Sequence, residues 1–105
     1  MIISGGENVY SVEVEQVLNS HPKILEAATI GFPDERWGEA VGAVLVLKEG
    51  KTIEEEELIA FCRERLAGYK IPRKFVYIDE LPRNTSGKIL KYQLRETYQN
   101  EVLQG

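Results

Sequence analysis

The stretch Val41-Gly42-Ala43-Val44-Leu45-Val46-Leu47 is apolar at nearly every position. A half-buried strand alternates apolar with polar residues, whereas this run offers no face to water. It has the pattern of a central strand covered on both sides. The rest of the chain must then supply neighbouring strands along its edges and helices over its two faces.

Just upstream, Ile24 to Phe32 is β-prone, with Ala28, Ile30 and Phe32 on one alternating face, and predicts a partner strand. Between the two runs lies a polar turn, Phe32-Pro33-Asp34-Glu35-Arg36-Trp37-Gly38, with the chain's sole tryptophan. A tryptophan there either plugs the edge of the core or presents a flat face to a ligand. Further upstream, Ser11 reads as a helix cap, with Glu13 and Glu15 near the positive end of the helix dipole. Val14, Val17 and Leu18 form the buried stripe of that helix, and Pro22 ends it. His21, just before that proline, reads as a capping or surface residue. The chain opens with Ile2-Ile3-Ser4-Gly5-Gly6-Glu7-Asn8-Val9-Tyr10, two extended pieces around paired glycines. Such glycines allow a sharp bend or a close approach of backbone to ligand.

Downstream, Glu49-Gly50 turns the chain, and Thr52 with Glu55 reads as a capping box. Leu58, Phe61, Cys62 and Leu66 give the next helix its buried stripe, Glu54, Glu56 and Glu57 its solvated face, and Gly68 its stop. A short strand from Phe75 to Ile78 follows. A last helix begins near Leu90, with Leu90, Leu94 and Tyr98 inward. The order is hairpin, helix, strand, strand, helix, strand, helix. It predicts one α+β domain, a small mixed β-sheet with a β-hairpin and covering helices.

The chain has 105 residues, of which 43% are hydrophobic, enough for one core and too few for two. No apolar run approaches the ~20 residues of a membrane helix, and the start lacks the apolar stretch of a signal peptide. The expectation is a soluble, cytoplasmic protein with no membrane span. Cys62 is the lone cysteine, which excludes an internal disulfide and a thiolate metal cluster, and it reads as core. A net charge of −4 argues against nucleic acid as a partner. Residues 1–68 carry 6 positive and 13 negative side chains, whereas residues 69–105 carry 7 positive and 4 negative. A basic last third on an acidic protein suits a local site for an anion, and equally suits a plain basic tail.

Within that third, Pro82-Arg83-Asn84-Thr85-Ser86-Gly87-Lys88-Ile89-Leu90-Lys91 is the segment that most resembles chemistry. Pro82 fixes φ and Gly87 permits positive φ, so the backbone must turn and present Lys88 at its end. The residues alone leave two readings open, a positioned charge and a solvated surface lysine. No acid/base pair, metal-ligand cluster or nucleophile beside a base is evident, so a complete active site is hard to assemble from this chain.

Three motifs in order resemble one family: I-I-S-G-G-E-N-V-Y at residues 2–10 followed by E-V-E at 13–15, P-D-E-R-W-G-E at 33–39, and L-P-R-N-T-S-G-K-I-L-K at 81–91. Together they look like the C-terminal domain of acyl-CoA synthetases, within the adenylate-forming (AMP-binding) superfamily that also holds luciferases and peptide-synthetase adenylation domains. The similarity covers essentially the whole chain. It implies an isolated domain without its large N-terminal partner domain, with Met1 at a position internal to a longer protein.

The resemblance implies an acid–CoA ligase, inactive as the lone domain, acting on a fatty acid or another carboxylate in two halves. A carboxylic acid attacks the α-phosphate of ATP to give an acyl-adenylate and pyrophosphate, and the thiol of CoA then displaces AMP. By the same resemblance Lys88 is catalytic in the first half. Rotation of the domain then replaces it with the loop from Gly5 to Tyr10, so that Gly5, Gly6 and Glu7 face the pantetheine arm of CoA. Trp37, Tyr69, Lys70 and Arg73 match positions near the CoA nucleotide. Mg2+ is expected with ATP in the N-terminal domain and no metal in this one.

Two departures stand out. Ile71 occupies a position that is basic in some relatives, and Ser11 replaces a proline common after the tyrosine. The alternatives are an adenylation-domain fragment of a peptide synthetase, or a non-catalytic module that binds a nucleotide or a partner.

Overall fold

In the computed structural model, which describes residues 2–4, 6–36 and 38–104, the apolar run lies in β4 (Gly38–Leu47), the hub of a five-stranded mixed sheet. β3 (Ile24–Asp34) pairs antiparallel with β4 along its length, from Ile24↔Leu47 to Asp34↔Gly38. On the other edge β5 (Lys74–Tyr77) runs parallel to β4, Gly42 opposite Lys74. β1 (Ile2–Ser4) meets β4 at Ser4↔Gly38 and folds back on β2 (Glu7–Val9) as a tight hairpin. The expected hairpin, mixed sheet and covering helices are all present.

Alternation along β4 divides its side chains between two cores. Val41, Ala43 and Leu45 join Val14 and Leu18 of α1 (Ser11–Asn19) and Leu58 and Cys62 of α2 (Glu55–Arg63). Val44 and Val46 point the other way, toward Ala28, Ile30, Phe32, Leu81 and Leu94, the last from α3 (Lys91–Gln104). This accounts for the missing polar residues, because each face of the strand has its own helical cover. Gly42 interrupts the run for a steric reason. A Cβ there would stand 1.8 Å from Cε2 of Phe32, whose ring fills the space a side chain would occupy.

Several local expectations are corrected. Ser11 is the first helical residue of α1 rather than its cap, since Tyr10 occupies the cap position with no side-chain hydrogen bond. The Thr52–Glu55 capping box does not form, because α2 begins at Glu55 behind Glu54. Its first turn instead holds Glu55, Glu56 and Glu57, which complement the helix dipole. Gly68 does not stop α2. That helix ends at Arg63, and Gly68 opens a separate 3-10 turn, Gly68–Lys70.

His21 is buried rather than on the surface. Its Nδ1 accepts from the Lys23 amide at 3.1 Å, its Nε2 lies 3.2 Å from Oε2 of Glu57, and its ring packs edge-on against Phe61. These partners suit the neutral tautomer with the proton on Nε2. Cys62 is buried in the first core, where desolvation pushes its thiol pKa up. The helix is therefore locked to the α1–β3 corner by a histidine, and the cysteine stays an inert core residue.

Candidate functional site

The segment between β5 and α3 forms a closed loop. Asn84 N–H donates to the Lys88 carbonyl at 3.0 Å, Gly87 N–H to the Asn84 carbonyl at 3.0 Å, and Leu90 N–H to the Pro82 carbonyl at 2.8 Å. Arg83 and Ile89 pair across it as an isolated antiparallel bridge. The hub is Asn84, whose Oδ1 accepts from Ser86 Oγ at 2.8 Å, Lys88 N–H at 2.9 Å and Ser86 N–H at 3.0 Å. Asparagine bonds its own backbone two residues on more readily than most side chains do. Gly87 adopts φ 87°, which lets the loop close without a steric penalty.

Lys88 therefore leaves a backbone whose own N–H and carbonyl are both hydrogen-bonded to Asn84, and its side chain is exposed. It lines an open groove with Arg83, Lys91, Tyr92 and Arg95. The cations on either side of it are engaged: Arg83 pairs with Glu26 of β3, and Lys91 with Glu15 of α1 at 2.7 Å. No carboxylate among the described residues pairs with Lys88. An ammonium in that position is available to a ligand's negative charge.

Two ties hold the loop to the body of the domain. At its entry the Arg83 guanidinium joins Glu26 to the Gly87 carbonyl, the latter at 2.8 Å from Nη1. At its exit Lys91 reaches both Glu15 and Ser11 Oγ, while Glu15 also accepts the Thr29 amide of β3 at 2.7 Å. Ser11, misread as a cap, is a ligand of Lys91. None of these ties was evident beforehand, because each joins residues far apart in the sequence. The Asn84 hub did have a sequence signal, an asparagine two residues before a serine and three before a glycine.

The residues expected near CoA lie elsewhere. Gly6 has φ 82° in the β1–β2 turn, a conformation that favours glycine. Gly5 and Trp37 lie outside the described residues, and of Glu7 only the backbone, paired with Ser4, is described. The 3-10 turn with Tyr69 and Lys70 packs beside β2, so the hairpin and that turn are neighbours. Tyr69 is partly exposed, with the Lys70 ammonium 5.5 Å from its ring centroid. Lys70 Nζ also donates to both oxygens of Glu13 at 2.9 Å, and that carboxylate raises the Lys70 pKa above the ordinary lysine value. Arg73 lines a groove that adjoins the 3-10 turn, with Gly68, Arg63, Ile59 and Pro72. The groove that holds Lys88 includes none of Gly6, Tyr69, Lys70 or Arg73. The candidate residues thus form two stations rather than one pocket.

Among the described residues no three His, Cys, Asp or Glu side chains cluster so as to hold a metal ion. No described helix is long and apolar enough to cross a membrane.

The chain is similar to known proteins over most of its length. Residues 13–88 match the AMP-binding enzyme C-terminal domain, and the match ends on Lys88. Over 96 residues the chain is 51% identical to a 2-succinylbenzoate–CoA ligase of Bacillus mycoides, covering 91% of this chain and 20% of that protein. It is 47% identical over 102 residues to a long-chain-fatty-acid–CoA ligase of Mycobacterium tuberculosis, covering 97% of this chain and 20% of the relative. Among solved structures, a Mycobacterium tuberculosis fatty acyl CoA synthetase superposes with a TM-score of 0.90 at 46% identity, over 96% of this chain and 20% of that one. The o-succinylbenzoate CoA synthetase of Bacillus subtilis, in complex with its acyl-adenylate intermediate, gives 0.85 at 53% identity, over 90% and 19%. The chain spans about a fifth of the length of the relatives it matches.

Proposed function

Since this chain belongs to the AMP-binding enzyme C-terminal domain family, we propose that it serves as the mobile domain of an ATP-dependent carboxylic acid–CoA ligase and that Lys88 is its adenylation lysine. The observation that carries this reading is an ammonium without a carboxylate partner among the described residues, presented by a loop whose backbone is already hydrogen-bonded. A lysine supplies a compact charge with three donors. Docked against the ATP and acyl-binding domain, it reaches one oxygen of the attacking carboxylate and one of the α-phosphate. Negative charge is drawn together at these oxygens as the new bond forms. Excluding water from the docked site strengthens that attraction. Mg2+ accompanies ATP in the partner domain and carries none of the steps assigned to this chain.

The second station serves the second half-reaction. After adenylation the domain turns, Lys88 withdraws, and the hairpin with Gly5, Gly6 and Glu7 takes its place beside the pantetheine arm. Gly6 suits a narrow passage because no side chain projects from the turn. Trp37 and Tyr69 offer aromatic faces to adenine, and Lys70 and Arg73 offer charge to phosphates. Glu13 holds two of the three Lys70 donors, so the carboxylate acts as a resident competitor for the charge a phosphate would use.

The acid itself is selected outside this chain. Its similarity extends at comparable identity to ligases named for an aromatic succinyl acid and for long-chain fatty acids.

The test is Lys88→Ala in the full-length ligase, with the two halves assayed separately. ATP–pyrophosphate exchange driven by the acid should fall by about 10²–10³-fold, the scale for removing one oxyanion donor. Thioester formation from supplied acyl-adenylate should largely survive. Equal loss in both halves would refute the assignment.

A further inference from the structure

The structure assigns a positioning role to Arg83, which sets the place of Lys88 by clamping the Gly87 carbonyl to Glu26. The assignment rests on Lys88 being the adenylation lysine. Its basis is a difference between two sets of hydrogen bonds in the loop. The bonds to Asn84 close the loop on itself, yet they do not fix where the closed loop sits relative to the sheet. Arg83 does so. Nη1 donates to the Gly87 carbonyl at 2.8 Å, while Nη2 pairs with Oε1 of Glu26. Glu26 lies on β3 in register with Val46 of β4, so one end of the clamp is part of the sheet. The other end is the carbonyl of the residue just before Lys88, where φ is 87° and the peptide has no side chain to hold it.

A guanidinium suits this task for a geometric reason. Its nitrogens are held in one plane at a fixed separation, so two acceptors are set at a fixed distance from each other. An ammonium on a flexible stem bonds either acceptor but does not dictate their spacing. The ion pair is about one-third exposed at both partners, so its contribution to overall stability is small. Its effect is on placement.

The test uses the full-length ligase and the same two half-reactions. Arg83→Ala should lower ATP–pyrophosphate exchange by about ten- to a hundred-fold, the loss expected when a catalytic group is displaced by about 1 Å. Thioester formation from supplied acyl-adenylate should stay within about twofold, a split that general loss of structure does not produce. Glu26→Ala should lower the same half, and the double variant should be no worse than Arg83→Ala within about twofold, because both changes open one clamp. Arg83→Lys, which keeps the charge and much of the stem, should recover only part of the loss.

The proposal is overturned if Glu26→Ala leaves exchange unchanged or raises it while Arg83→Ala lowers it. Arg83 would then act on the substrate directly. Multiplying losses in the double variant, or equal losses in both halves, overturn it as well. Lys88→Ala run in parallel separates the two readings. If Lys88→Ala loses adenylation selectively and Arg83→Ala is silent, the clamp alone is refuted. If Lys88→Ala shows no selective loss, the clamp falls with its premise.

Discussion

Replacing Asn84 by alanine removes one acceptor oxygen and with it three hydrogen bonds, from Ser86 Oγ, Lys88 N–H and Ser86 N–H, at 2.8, 2.9 and 3.0 Å. Residues 83–88 are exposed, so water takes up each freed donor. Each bond then counts at the low end of the usual net range, about 0.5 kcal/mol. Together they hold the loop closed by about 1.5 kcal/mol, which is roughly a tenfold shift between ordered and open loop. Adenylation that depends on the ordered loop should fall by up to about tenfold, well short of the loss for Lys88→Ala. Two measurements on the full-length ligase check this: ATP–pyrophosphate exchange, and hydrogen exchange at the Lys88 and Ser86 amides. Asn84→Ala should lower the first and deprotect the second. Asn84→Asp retains an acceptor and should keep the amides protected. The reasoning fails if Asn84→Ala leaves the Lys88 amide as protected as before, or deprotects it with no cost to adenylation.

Gly42→Ala should destabilise the domain by at least about 1–3 kcal/mol through overpacking against Phe32, read as a lower urea midpoint at unchanged slope. Adding Phe32→Leu should recover part of the loss, and no recovery would mean that the ring is not the obstacle. Glu13→Gln frees Lys70 and should lower KM for CoA with little effect on kcat, whereas a higher KM would count against Lys70 as a phosphate contact. The same pair has a pH signature. Glu13 raises the Lys70 pKa in the folded state above 10.5, so its stabilising effect is complete below that pH and is lost as pH climbs through the raised value. The stability difference between the wild-type chain and Glu13→Gln should shrink accordingly in alkaline unfolding curves.

The hub of the fold was legible because β4 violates alternation over a whole strand, and only a doubly covered strand tolerates that. The α1 and α3 stripes were legible for the same periodic reason, with Val14, Leu18 and Leu94 all buried. Helix starts were not. Ser11 and Thr52 have the right chemistry for caps, but capping is a weak local preference that tertiary partners override, and Lys91 claims Ser11. His21 was misjudged because a histidine before a proline carries no mark of Glu57 and Phe61 arriving from another helix. The lysine loop was legible as a turn from Pro82 and Gly87. Its anchorage was not, since Glu26 and Glu15 look in sequence like any other surface carboxylates.

The tie between Glu15 and Lys91 bears on solubility as well as on placement. Among the described residues β3 pairs with β4 alone, so its other side is a sheet edge. Such an edge is a template onto which a strand of another molecule can zip. Glu15 occupies the Thr29 amide that an incoming strand would need, and Lys91 pairs with the same carboxylate oxygen, Oε2. An intruding backbone would have to break an amide–carboxylate bond and strand an ion pair. Removing Glu15 therefore unguards a sticky margin of the sheet, and the variant should aggregate more readily than the wild-type chain.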